Sequence, residues 1–363
     1  MFEDLRYIPV FRGRQQELMT LREFDFGAHL FPMIEVIKEK DRINNSSSSD
    51  EIYSEIIKSI QARKVFIDLP TYLKQTTSTQ KEVIKFMNTV LGQIDARISF
   101  FKSLSSEKEK VVPVISSLTL INGEVKENDM LEQFTKLSKI FTNFAFKVYL
   151  KSFDHDVKAV KLLLREVNPA DHILIYDIDQ NEVTAPIVRK QIAELKDFSN
   201  KAIIRSAIND NVQNTNLING ELVEEINNSL MELYKDQGFK FWGDYAGIKK
   251  DSLTSGGTIS PGFLFFDAYN NFFYGFKGQT KSLNEFEDTI IPSILGSEAY
   301  LNLRNNFPEF INDNPGIKIL NDMSDGLEPS RSQAKFKKIA MLHYLFSIKT
   351  SIEKKRSIPL ALQ

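Results

Sequence analysis

Short apolar, β-branched runs recur along the chain, separated by longer amphipathic stretches. The runs are YIPVFR (7–12), LFPMIEV (30–36), KVFIDLP (64–70), VVPVISS (111–117), AFKVYLK (145–151), HILIYDI (172–178), KAIIRSA (201–207) and FKFWGDY (239–245). Each has strand length and the residue types that fill a buried pleated surface. Between them lie GRQQELMTLREF, SDEIYSEIIKSIQAR, the long STQKEVIKFMNTVLGQIDARISFFKSL, NDMLEQFTKLSKIF, DVKAVKLLLREV, APIVRKQIAELKDF and ELVEEINNSLMELYKDQ. Apolar residues recur in these stretches at helical spacing, as Val157, Val160, Leu163 and Leu164 do. Strand–helix alternation predicts parallel strands joined by right-handed crossovers. The eight runs predict an α/β fold, a (β/α)8 TIM-like barrel. The competing topology is an open doubly wound sheet, which would usually carry a Gly-rich phosphate turn after its first strand. The turn here, RGRQQE, has a single glycine.

After residue 247 the pattern changes. KKDSLTSGGTISPG (249–262) reads as a polar loop, in which SGG (255–257) could form an anion nest or simply be flexible. GFLFFDAYNNFFYGFKG (262–278) predicts a β-hairpin turning at Asn270–Asn271. Helices are predicted near 284–303 and 331–350, split by a Pro/Gly/Asp loop at 313–330. The organisation expected is a barrel core over 1–248, an insertion with the aromatic hairpin and a helix over 249–330, and a C-terminal helix over 331–363 completing the barrel. A separate C-terminal subdomain is the alternative.

Composition narrows the chemistry. The 363 residues are 42% hydrophobic and 26% charged, with a formal net charge of −2, which is not the balance of a dedicated nucleic-acid binder. The absence of cysteine excludes disulfides, thiolate nucleophiles and Cys-ligated zinc. The start, MFEDLRYIPVFRG, is not a secretory leader, and no apolar run approaches the roughly 18–20 residues of a membrane span. A cytoplasmic location and no membrane contact are therefore expected.

Candidate site residues cluster where a barrel of this kind keeps them, at the carboxyl ends of its strands. The predicted strands end in Arg12 (with Arg14 beyond), Glu35, Asp68, Ser116, Lys147 with Lys151, Asp177, Arg205 and Asp244 with Tyr245. In the fifth strand Lys147, Tyr149 and Lys151 share one face, opposite Phe146, Val148 and Leu150. Glu35, Asp68, Asp177 and Asp244 are hard oxygen donors suited to Mg²⁺ or Mn²⁺. Arg12, Arg14, Lys147, Lys151 and Arg205, with Tyr245, would hold a phosphate-bearing substrate. The bland reading is a charge-balanced network, because an unpaired buried ion is expensive. Of the four histidines only His155 falls near this end, and no HxxxH or HxH pair exists, which argues against His-dependent phosphodiester or zinc chemistry.

The opening YIPVFRGRQQELMTLREF, the following LFPMIEV and VFIDLP, and the later FWGDYAG together resemble the bacteriophage beta-protein family. The resemblance spans residues of about 5–250. It implies a setting in phage–bacterium conflict or mobile elements, and it carries no reaction. Two functions are expected from the residues and the resemblance together. One is a divalent-metal-dependent phosphoester hydrolase acting on nucleotides or nucleic acid. The alternative is a non-catalytic sensor or protein-binding module of anti-phage defence, engaging a partner through the aromatic hairpin or the basic C-terminal helix.

Overall fold

Eight parallel strands close into a barrel in simple sequence order. They are β1 (Tyr7–Arg12), β2 (Met33–Glu35), β3 (Val65–Asp68), β4 (Val111–Ser116), β5 (Ala145–Tyr149), β6 (Ile173–Asp177), β7 (Lys201–Ile204) and β8 (Phe241–Asp244), with β8 pairing back to β1. The structure is a computed structural model and describes residues 2–39, 47–126, 128–250, 253 and 260–354. Every residue of these strands is buried, which is why they read as nearly continuous apolar runs rather than alternating ones. Helices follow most strands: Gln15–Glu23, Ser49–Ser59, Ile94–Ser103, Asp129–Leu137, Phe153–Leu163 and Pro186–Ala193. The fold is an α/β TIM-like barrel.

Gly243 lets the barrel close. A Cβ at this position would overlap the Ile8 carbonyl oxygen on β1 and crowd Ile204 on β7 at 3.1 Å. Only glycine leaves room for β8 between its two neighbours.

Three expectations on the barrel side are corrected. The long third helix is broken into Lys81–Phe86, a π-turn over Met87–Leu91, and Ile94–Ser103, with Gly92 at the break. The fifth strand ends at Tyr149, and Leu150–Ser152 form a tight helical turn. The stretch ELVEEINNSLMELYKDQ gives only the one-turn helix Leu230–Leu233, and its first residues become a strand, Glu221–Leu222.

The chain divides into two units. The first holds Met1–Arg205, Leu233–Asp244 and Ser252–Ser255, and contains all eight barrel strands. The second holds Ser206–Glu232, Tyr245–Asp251 and Gly256–Gln363. Its centre is the hairpin of β9 (Gly262–Asp267) and β10 (Phe272–Lys277), turning through Asn271 at φ 61°. Glu221–Leu222 add to the far edge of β10. The predicted loop at 313–330 contains a helix, Pro315–Ser324, because Pro315 opens it and the Asn314 side chain caps it by accepting from the Gly316 and Ile317 amides. The last helix, Gln333–Glu353, lies along the outer edge of β9. Gln333 exchanges hydrogen bonds with the Gly262 backbone, and His343 Nε2 donates to the Phe266 carbonyl at 2.7 Å. A sheet edge left open would recruit another strand, and these side chains close it. The SGG triplet lies outside the described residues.

Candidate functional site at the carboxyl end of the barrel

Strand register decides which polar side chains meet. Arg12 pairs in register with Glu35, and Glu35 with Asp68, so β1, β2 and β3 place these three at one level on one side of the sheet. Ser116 pairs with Lys147, and Tyr149 with Asp177, which brings β4, β5 and β6 to the same end. In parallel strands, directly paired residues point to the same face, so one inward residue commits its neighbours.

The centre of the site is the Lys147 ammonium. Its Nζ lies 2.8 Å from Asp68 Oδ2, 3.2 Å from Asp177 Oδ2 and 3.4 Å from Glu35 Oε1. Lys147, Glu35 and Asp68 are fully buried. Two tyrosine rings complete the surround, with centroids 5.0 Å (Tyr149) and 5.7 Å (Tyr72) from the same nitrogen. Beyond them, Arg12 approaches Glu35 at 3.5 Å and donates to the Tyr72 hydroxyl at 3.0 Å, and Tyr72 donates to Glu35 Oε2 at 2.5 Å. The Glu17 carboxylate accepts the Arg12 backbone amide.

Burial sets the protonation pattern. It pushes the Asp68 carboxyl up from the usual carboxylate range, a rise that Lys147 opposes and the Glu35 charge reinforces. Burial pulls the Lys147 ammonium down, but the charges of Asp68, Tyr149, Asp177 and Glu35 outweigh it and hold the group well above its ordinary value. The surrounding acids therefore favour the charged form of Lys147. Burial also raises the Tyr149 phenol, which stays protonated.

The remaining predicted residues distribute as follows. Asp244 is buried and accepts from the Tyr7 hydroxyl at 2.5 Å, tying β8 to β1. Arg205 is buried and pairs with Glu182 at 2.5 Å. Arg14 is half-buried at the start of the first helix, where burial lowers its guanidinium. Lys151 is corrected outright: with the strand ended at Tyr149, its side chain is exposed and pairs with Asp179 at 3.2 Å. Tyr245 is the first residue of the second unit after β8, buried beside Lys250. His155 is exposed on the helix Phe153–Leu163.

The expected metal set of Glu35, Asp68, Asp177 and Asp244 divides: Asp244 accepts from Tyr7, and the other three face Lys147. Three of the four converge on an ammonium, at separations typical of N–H···O contacts. Among the described residues, no group of three or more Asp, Glu or His is arranged to hold a metal ion.

Several members of the site were not foreseen. Tyr72 and Tyr7 are unremarkable in a chain with 11 tyrosines. Arg97 carried a readable signal, because it lies on the apolar stripe Ile94, Ile98, Phe101 of its helix. It is fully buried, donates to the Leu69 and Leu91 carbonyls at 2.8 and 3.0 Å, and reaches Gln133 and Ser116 at 3.0 and 3.2 Å. Its guanidinium therefore braces the chain just after Asp68 against the end of β4. Asp156 does similar work for β5, accepting from the Ser117 and Ser152 hydroxyls at 2.5 Å and from the Tyr149 amide at 3.0 Å.

Residues 7–348 match the family described as Beta protein. The chain belongs to that family. The match runs from the first barrel strand into the terminal helix, so this Beta protein shares its family pattern across both units. No curated protein and no solved structure matches it. No helix among its described residues is long and apolar enough to cross a membrane.

Proposed function

We propose that the carboxyl end of the barrel binds and hydrolyses a polar, phosphate-bearing ligand by general acid–base chemistry, with phosphoesters of nucleotides or nucleic acid as the substrate class. One observation carries this reading. Asp68 Oδ1, Thr71 Oγ1 and Tyr149 Oη are buried and make no hydrogen bond among the described residues. Leaving a buried polar atom unsatisfied costs about 1–3 kcal/mol, and such atoms gather where a ligand completes them. Asp68 and Tyr149 end β3 and β5 beside the Lys147 centre, and Thr71 follows three residues after β3.

The chemistry follows from the split between the carboxyls. Asp68 Oδ2 takes the Lys147 contact, and Oδ1, on a carboxyl whose proton affinity burial raises, is the atom that would deliver a proton. That proton passes to the leaving oxygen as the P–O bond breaks. Glu35 or Asp177, each in contact with Lys147, takes a proton from the attacking water. Arg12, at the rim of the cluster, faces the charge on the phosphoryl oxygens. The resemblance to bacteriophage proteins supports a setting in phage–bacterium conflict.

The test is a panel of nucleotides, cyclic nucleotides and short DNA and RNA, read by mass spectrometry with added Mg²⁺, Mn²⁺ or EDTA. The expected result is turnover that persists in EDTA and falls about 100-fold or more in Asp68→Asn with the circular dichroism unchanged. Equal turnover by Asp68→Asn would sink the acid role, and turnover abolished by EDTA would return a divalent ion to the site. The second reading, a binding module without turnover, draws on apolar side chains exposed in the second unit, Ile218, Leu222 and Phe272. It requires a partner complex that survives Asp68→Asn and is lost in Phe272→Asp.

A further inference from the structure

The four carboxylates read from the sequence as metal ligands pose a question that reaches past the reaction: what kind of cation do they fit? Three of them surround one nitrogen at 2.8–3.4 Å, all from buried residues, and two tyrosine ring faces close on the same nitrogen at 5.0 and 5.7 Å. Aromatic faces attract diffuse organic cations, whereas a divalent ion would draw oxygen ligands inward to a shorter and more regular shell. Asp68 Oδ1 and Tyr149 Oη, on residues that touch this centre, are buried without hydrogen-bond partners among the described residues.

We infer that Glu35, Asp68, Asp177, Tyr72 and Tyr149 form a recognition cage for a primary ammonium, and that the chain supplies the occupant itself through Lys147. The cage holds an ammonium whether or not any substrate is turned over at the same end of the barrel. Three carboxylates in a buried setting cannot all stay ionised without a cation among them, so the occupant and the cage are thermodynamically linked. Removing the Lys147 side chain beyond Cβ leaves a channel of the shape and charge of propylammonium. An external amine would then bind where the internal one sat, and it would stabilise the fold by mass action.

The experiment is thermal unfolding of the full chain, comparing wild type, Lys147→Ala and Lys147→Ala/Asp68→Asn. Each is titrated with propylammonium chloride, tetramethylammonium chloride, MnCl₂ or KCl at matched ionic strength. The expected result is a saturable rise in the midpoint of Lys147→Ala with propylammonium, at least about 2 °C. Wild type shows no such rise, because its cage is occupied, and the double variant shows a smaller one. Tetramethylammonium, which has no N–H donors, and KCl leave Lys147→Ala unmoved. Equal rises in all three proteins, or none in a folded Lys147→Ala, would overturn the cage. A rise with MnCl₂ and not with propylammonium would overturn the ammonium assignment in favour of a metal position. If Lys147→Ala does not fold, Lys147→Met fills the volume without charge. Lys147→Met/Asp68→Asn should then unfold at a higher midpoint than Lys147→Met, and a Lys147→Met as stable as wild type would refute the need for the cation.

Discussion

His343 is fully buried against Phe265, Phe266 and Phe310, and both ring nitrogens are engaged. Nε2 donates to the Phe266 carbonyl, so Nδ1 is the acceptor and takes the Asn314 amide at 2.9 Å. Burial lowers this imidazole to about 4 from an ordinary 6.5. The unfolded chain therefore binds a proton between pH 6.5 and 4 that the folded chain refuses. The stability present above pH 6.5 is lost as pH falls toward 4, by about 3 kcal/mol for this group. Denaturant melts of wild type and His343→Gln across that range should show the difference as a steeper acid slope in wild type. Asp156 acts with the opposite sign, since burial raises its carboxyl to about 6 and favours the folded state as pH falls below that value. Arg97 gives a second residue-level prediction. Arg97→Ala strands the Leu69 and Leu91 carbonyls and opens a cavity, so a loss of about 3 kcal/mol or more is expected by urea unfolding. Arg97→Lys should recover only part of it, because one ammonium cannot span four acceptors in four separate segments.

At the level of elements, the strands were legible and the helices less so. Each predicted run contains its barrel strand, because burial on both faces demands unbroken apolar residues. The second run shrank to Met33–Glu35, and the fifth stopped two residues early at Tyr149. That stop removed Lys151 from the site, since a strand face can be read from alternation only as far as the strand continues. The segment 221–237 has the composition of a helix but is mostly otherwise, because Leu222 and Val223 take β10 as partner through the Tyr274 and Phe273 backbones. Long-range pairing overrides propensity here. Gly243→Ala tests the closest strand approach. Overlap with the Ile8 carbonyl predicts a loss of about 1–3 kcal/mol with the m-value unchanged, measured by chemical denaturation.

For the whole molecule, eight repeats of one pattern were enough to foresee a closed barrel, and the site end of that barrel followed from the fold. The division of the chain was not legible in the same way. Residues 206–232 precede the last barrel strand in sequence, yet they belong to the unit built around the hairpin. A chain ended after Ile248 would strip Leu222 and Val223 of their β10 partners. Thermolysin should then cut within 206–232 much faster than in the full chain, with fragments identified by mass spectrometry. Equal cutting rates would show that the segment is held without the hairpin.

The order of apolar runs determined the fold, because a strand buried on both faces and an amphipathic helix are one-dimensional patterns that survive in the sequence. The types of residue at the strand ends were equally plain, and Glu35, Asp68, Asp177 and Lys147 were all named from position alone. Their relation to one another was not. That three of the four acids meet around a lysine depends on strand register and on one side chain reaching them, as the 2.8 Å between Lys147 and Asp68 shows. Those two residues are 79 positions apart, a separation at which sequence carries chemistry but no distance.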